Sequence, residues 1–137
     1  KALLDLIQIK EDVVLAQKRF CVGKLFNRDV VIAFAGIGKV NAGICTQILV
    51  NQYQVDMVIN TGIAGSLRNE IDIADIVLST DALQHDVDAT GFGYELGVIP
   101  RMESSVFQAN KDALSSNSRP LRQRTVVLKC NGKEAVL

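Results

Sequence analysis

No run of apolar residues in this sequence approaches the ~20 needed to cross a bilayer, and no charged-then-apolar leader is visible. There is no surplus of charge. Fifteen basic and 15 acidic side chains give a formal net charge of zero. A dedicated nucleic-acid binder needs excess Lys and Arg to neutralise phosphates, so that class is set aside. Cysteine is sparse: Cys21, Cys45 and Cys130 lie far apart, odd in number and without C-x-x-C spacing. A disulfide framework and a zinc site are both poorly served, and reduced thiols in a cytosolic protein are expected. Histidine occurs once, as His85. One imidazole is a poor start for a metal site, which needs three or four converging ligands. It would also have to serve any Ser–His–acid chemistry, yet no serine stands in a G-x-S-x-G elbow. A hydrogen-bonded structural role is therefore expected for His85. No internal repeat or low-complexity tract breaks the chain.

What remains is an ordinary globular composition, 48% apolar and 22% charged over 137 residues, sized for one domain with one core. Charge is unevenly spread. Residues 1–110 hold 9 basic and 13 acidic groups, whereas 111–137 hold 6 and 2. The change falls at the polar stretch Ser115-Ser116-Asn117-Ser118-Arg119-Pro120, read as loop or linker.

The apolar rhythm predicts layered α/β structure. Residues 2–9 read as the last turns of a helix. Two β-prone runs, 20–26 and 29–35, split at Asn27-Arg28 as a hairpin. The second is continuously apolar, as in a strand covered on both faces. Gly36-Ile37-Gly38 ends it, and Ile44, Cys45, Ile48, Leu49 and Tyr53 recur at helical period over 39–53. Further strands are expected at 57–60, at Ile76-Val77-Leu78-Ser79 as a buried strand, and at 125–128. Strand, glycine turn, helix, strand, glycine turn is the order of an α/β sheet.

In such sheets ligands bind beyond the carboxyl ends of the strands, where both glycine turns fall. Gly36-Ile37-Gly38-Lys39 is neither a P-loop, which needs Gly at Ala33 and Ser or Thr at Val40, nor a dinucleotide fingerprint, which needs Gly at Asn41. On spacing alone it is a turn that joins strand to helix. Gly62-Ile63-Ala64-Gly65 tells more, because residues of little bulk let a ligand approach the backbone. Two such turns after two neighbouring buried strands point to a site. Phe92, Tyr94 and Pro100 sit in a loop rich in glycine (Gly91, Gly93, Gly97), suited either to an apolar ligand or partner or to a satellite of the core.

Taken in order, 36–42 (GIGKVNA), 59–67 (INTGIAGSL), 75–77 (DIV) and 84–94 (QHDVDATGFGY), with Gly97 and Pro100, resemble the purine nucleoside phosphorylase and nucleosidase superfamily. Within it they are similar to the bacterial 5′-methylthioadenosine/S-adenosylhomocysteine nucleosidases. The strong match runs from about Phe34 to Glu103, and 115–137 diverge as a basic tail. The resemblance implies part of a three-layer fold with a central mixed sheet flanked by helices, in one incomplete domain spanning 1–137. It implies hydrolysis of the N-glycosidic bond of an adenosine thioether, giving adenine and a thioribose, with no cofactor or metal, in the cytoplasm, as a homodimer engaging neither nucleic acid nor membrane.

Residue by residue, the resemblance places Ala64 and Gly65 against ribose and base, and Ile37 against the alkylthio group. Phe92, Tyr94 and Pro100 fall on the apolar wall of the 5′ pocket, with Ala89 and Phe92 reaching a neighbouring subunit. Ile63 supplies neither hydroxyl nor positive charge for phosphate, which favours water as nucleophile. Arg68 reads as surface. The reaction needs an acid for the purine, a base for water and stabilisation of an oxocarbenium-like sugar. The resemblance assigns the acids to segments not matched here, one ahead of the helix at the start and others after a Ser-Gly-Asp strand. No carboxylate of this sequence inherits them, and the chain alone is expected to be inactive. A related phosphorylase, a futalosine-type hydrolase and a non-catalytic nucleoside-binding module stay open as alternatives.

Overall fold

The computed structural model describes residues 2–63, 65, 69–73 and 75–111 and the backbone of 125–129. The chain divides into two compact units. The first is built from Lys1–Gly65 and the strand Thr125–Lys129, the second from the described residues between Ser66 and Arg119.

In the first unit a short helix α1 (Ala2–Leu6) leads into strands β1 (Gln8–Leu15), β2 (Lys18–Leu25) and β3 (Arg28–Ala33). Helix α2 (Lys39–Tyr53) and strand β4 (Met57–Thr61) follow. In the second unit, β5 (Asp81–Leu83) pairs antiparallel with β6 (Val106–Gln108), and a single 3-10 turn (Thr90–Phe92) lies between them in sequence. Strand β7 (Thr125–Lys129) returns to the first sheet. That sheet is mixed, in the order β1-β2-β3-β7-β4: a three-strand antiparallel meander continued from β3 by two further strands, β7 and β4, in parallel pairing.

Strand β3 explains why the sheet is layered on both sides. Its side chains alternate between two apolar clusters. Val31 and Ala33 join Phe20 of β2 and Cys45, Leu49 and Tyr53 of α2, whereas Val30 and Ile32 join Ile7 and Cys21 and pack beside Leu3 and Leu4 of α1. Helix, sheet, helix is the expected three-layer arrangement. The buried positions of α2 are spaced four apart, so one face is covered, and the Phe20 and Tyr53 rings stack with centroids 5.5 Å apart.

Two tight hairpins set the meander. Ala16 and Gln17 join β1 to β2, and Phe26 and Asn27 join β2 to β3, all four at positive φ. Such two-residue turns match the twist of the strands they connect. The second turn lies one residue before the expected Asn27-Arg28, because both central positions must be left-handed and Arg28 already pairs with Leu25. β1 was not anticipated: the helix expected over 2–9 stops at Leu6, and Gln8 and Ile9 open the strand. Lys10, Glu11 and Asp12 are exposed on this edge strand, where charge discourages further pairing. Arg19 clamps Asp12 (Nη2 to Oδ2, 2.6 Å), holding its carboxyl below the usual range, while burial pushes the Cys21 thiol up. Cys21 and Cys45 are both buried thiols outside any disulfide.

Two further expectations about the strands fail. Residues 76–79 form no strand: Ile76, Val77 and Leu78 are 90%, 66% and 67% exposed. Among the described residues no strand runs alongside them, and an apolar run becomes a strand only with a ladder partner. β3 and β4 are also not neighbours, since β7 lies between them, and among the described residues β4 is an edge strand with Met57 alone buried.

Candidate functional site

The strand register puts both glycine turns at one end of the sheet. Ala33 of β3 and Asn60 of β4 each stand opposite Leu128 of the parallel β7. The chain therefore leaves β3 toward Gly36 and β4 toward Gly62 on the same side, two strand spacings or about 10 Å apart.

The two turns use glycine differently. Gly36 and Gly38 lie at φ 85° and 89°, a region that costs any other residue strain, and Gly38 delivers the chain into α2. Gly62 and Gly65 show no such backbone demand, and a Cβ at either would meet nothing within 4 Å among the described residues. Packing among the described residues does not account for glycine there. Beside these turns Ile37 is 67% and Ile63 94% exposed, aliphatic side chains left uncovered where a strand end meets solvent. Ala64 and Arg68 lie outside the described residues.

The first turn is held by side chains that sequence reasoning missed. Asn41 Nδ2 donates to the Ile37 carbonyl at 2.6 Å, and its Oδ1 accepts from Lys18 Nζ at 2.7 Å. Asn41 sits in the first turn of α2 and Lys18 begins β2, 23 residues earlier. The polar residue at the helix start was visible; its partner carries no local signal.

In the second unit Asp88 organises the loop that carries the remaining candidates. Its Oδ1 accepts from the Thr90 hydroxyl (2.7 Å) and the Thr90 N–H (3.0 Å), and these bonds hold its carboxyl below the usual range. The Phe92 and Gly93 N–H groups then donate to Ala89 and Thr90 carbonyls, both at 2.9 Å. Ala89 is buried, whereas Phe92 stands 86% exposed at the turn. Tyr94 is 38% exposed and Pro100 is exposed. His85 is exposed and makes no side-chain hydrogen bond among the described residues, so the expected hydrogen-bonded imidazole is not found. Among those residues no three His, Cys, Asp or Glu side chains converge as metal ligands, and no helix is long and apolar enough to cross a membrane.

What this arrangement offers is backbone at the sheet end with aliphatic side chains beside it, and separately a hydrogen-bonded loop presenting an aromatic ring. Comparison with known proteins gives the same direction. The sequence profile of the phosphorylase superfamily matches residues 1–132. A 5′-methylthioadenosine/S-adenosylhomocysteine nucleosidase of Staphylococcus aureus is 42% identical over 124 residues, covering 90% of this chain and 54% of that protein. The chain thus spans about half the length of the curated relatives it matches. Among solved structures, a nucleosidase of that type from Colwellia psychrerythraea in complex with adenine aligns over 97% of this chain and 57% of its own, with TM-score 0.76 and 35% identity. One from Neisseria meningitidis in complex with methylthio-immucillin-A aligns over 97% and 59%, with TM-score 0.77 and 28% identity.

Proposed function

This chain belongs to the phosphorylase superfamily, and from that membership we propose that it serves the hydrolysis of the N-glycosidic bond of 5′-methylthioadenosine and S-adenosylhomocysteine. The products are adenine and a thioribose, and we read the reaction as a step of methionine salvage carried out in the cytoplasm. The observation that carries this reading is the register that brings both glycine turns to one sheet end, with Gly62 and Gly65 unexplained by packing among the described residues.

The chemistry follows from what each part can do. Gly65 and Ala64 provide backbone against which a ribose and purine lie flat. Ile37 and Ile63 give aliphatic surface and no charge, which suits a thioether and leaves phosphate without a ligand; water is then the nucleophile. Phe92, Tyr94 and Pro100 supply the apolar wall of the 5′ arm, and Ala89 and Phe92 belong to the loop that meets a second subunit of a homodimer. Each buried CH₂ of the 5′ substituent contributes about 0.8 kcal/mol. The acid that protonates the departing purine and the base that activates water have no counterpart among these residues, so the 137-residue chain alone binds without turning over.

Calorimetric titration of the chain with adenosine, 5′-methylthioadenosine and 5′-butylthioadenosine, alongside an assay for released adenine, tests both parts. Affinity should rise along that series by about fourfold per added buried CH₂, with no adenine release above buffer. Equal affinity for all three, or none at millimolar ligand, overturns the binding reading; adenine release overturns the assignment of the acids elsewhere.

A further inference from the structure

We propose that Lys18 and Asn41 are positioning residues that fix the pose of Ile37, and through it the preference for a thioether over a hydroxyl at the 5′ position. This rests on the function proposed above.

The meander dictates the geometry. β2 pairs with β3 so that Phe20 faces Ala33, and the Phe34 N–H still donates to the Arg19 carbonyl beyond the end of β3. Extending that register by one step sets Lys18 beside the residues that enter the glycine turn. Lys18 is two residues from Phe20, so it lies on the α2 face of the sheet, and its ammonium reaches Asn41 Oδ1. With its oxygen so engaged, the Asn41 amide is oriented to present Nδ2–H to the Ile37 carbonyl. Asn41 also closes over the turn: a Cβ on Gly36 would stand 3.7 Å from its Cγ.

The turn needs such a hold. Gly36 and Gly38 are both glycines, the residue with the widest backbone freedom, and the N-terminal cap of α2 has no side-chain hydrogen bond. A segment with glycine on both sides of Ile37 would otherwise sample several orientations, and Ile37, 67% exposed, has little packing of its own to select one. The relay from β2 through α2 substitutes for that packing. A charged donor makes its first bond the stronger kind. Its consequence is specific: it fixes where an aliphatic surface stands without touching the surfaces that would face the purine.

Three variants separate the roles. Asn41→Asp keeps the acceptor for Lys18 and removes the donor to Ile37; Lys18→Met keeps the stem and removes the ammonium; Asn41→Gln keeps both groups one methylene farther out. The 137-residue chain and each variant are titrated with adenine, adenosine and 5′-methylthioadenosine, and the Ile37 and Gly38 amide resonances are followed by NMR. In Asn41→Asp the preference for the thioether over adenosine should fall about fourfold to tenfold, with adenine affinity unchanged and both amide resonances displaced. Lys18→Met should give a smaller fall of the same kind, and Asn41→Gln should restore part of it. Unchanged discrimination, with the two resonances in place, overturns the relay. A loss shared equally by adenine overturns the positioning role in favour of a merely structural one. Failure of the parent chain to bind any of the three ligands instead overturns the proposed function, and with it the specificity assigned to the relay.

Discussion

The two units solve the same problem of holding a short chain in place by opposite means. In the first, β3 is apolar on both faces and buried between α1 and α2, so Phe20, Val31, Ile32 and Leu49 are fully enclosed. In the second, Ile73, Ile76, Leu78 and Phe92 are at least two-thirds exposed, and the loop around Thr90 is shaped by hydrogen bonds among near neighbours in sequence. Burial makes a stable platform that tolerates little change. Local bonding makes a shaped surface whose exposed side chains are free to serve a ligand or a partner.

The sharpest way to break that contrast is to remove one ring from each unit. Phe20→Ala empties a fully enclosed position stacked on Tyr53 and should cost about 3–5 kcal/mol. Phe92→Ala removes an exposed ring and should stay within about 0.5 kcal/mol. Urea unfolding followed by circular dichroism reads both. A loss of more than about 2 kcal/mol in Phe92→Ala would mean the ring is covered in solution, as by a second subunit, and the dependence on protein concentration would show it.

A smaller effect tests how tightly the meander is closed. Gly23 lies opposite Ile9 beside the bulge between Ile9 and Glu11, and a Cβ there would fall on the Gln8 carbonyl, 2.9 Å from its carbon. The two nearest atoms are backbone, which cannot swing aside, and the Ile7 Cγ1 carbon stands next at 3.0 Å. Gly23→Ala should therefore destabilise by about 1–3 kcal/mol. Gly91→Ala, with open space at its Cβ and no positive φ, should change little. Equal losses at the two sites would remove the distinction between a packed sheet and an open loop.

The sequence revealed most where burial imposed a period. Helix α2 was legible over its whole length because Cys45, Leu49 and Tyr53 must share a face, and β3 because both of its faces are covered. β1 was not, since an exposed edge strand with Lys10, Glu11 and Asp12 has no apolar face to advertise. The run at 76–79 erred in the other direction: apolar content promised a strand, but a strand is a pairing, and its partner is not encoded within it. The same logic governs the candidate site. Glycine spacing after two strands marked the sheet end, while the insertion of β7 between those strands and the reach of Lys18 to Asn41 are long-range facts with no local signature.

The finest test of the comparison is acidification, because each unit contains a described carboxylate held below its ordinary value of 3.8 by hydrogen bonds: Asp12 mainly by Arg19, Asp88 mainly by the Thr90 side chain. A carboxyl whose folded value is depressed contributes fully above its ordinary value and loses that contribution as pH falls through the folded one. Both bonds should therefore be intact from neutrality down to about pH 4 and fail only below it. The consequences differ. Protonated Asp12 leaves the β1–β2 backbone ladder in place, whereas protonated Asp88 gives up the two bonds that start the Thr90 turn. Amide hydrogen exchange at pH 5 and at pH 3, corrected for intrinsic rates, should show Phe92 and Gly93 losing protection and Val13 and Arg19 keeping theirs. Asp88→Asn should abolish the change at Phe92. Equal loss in both places would show that the sheet edge, too, depends on its surface ion pair and not on its ladder.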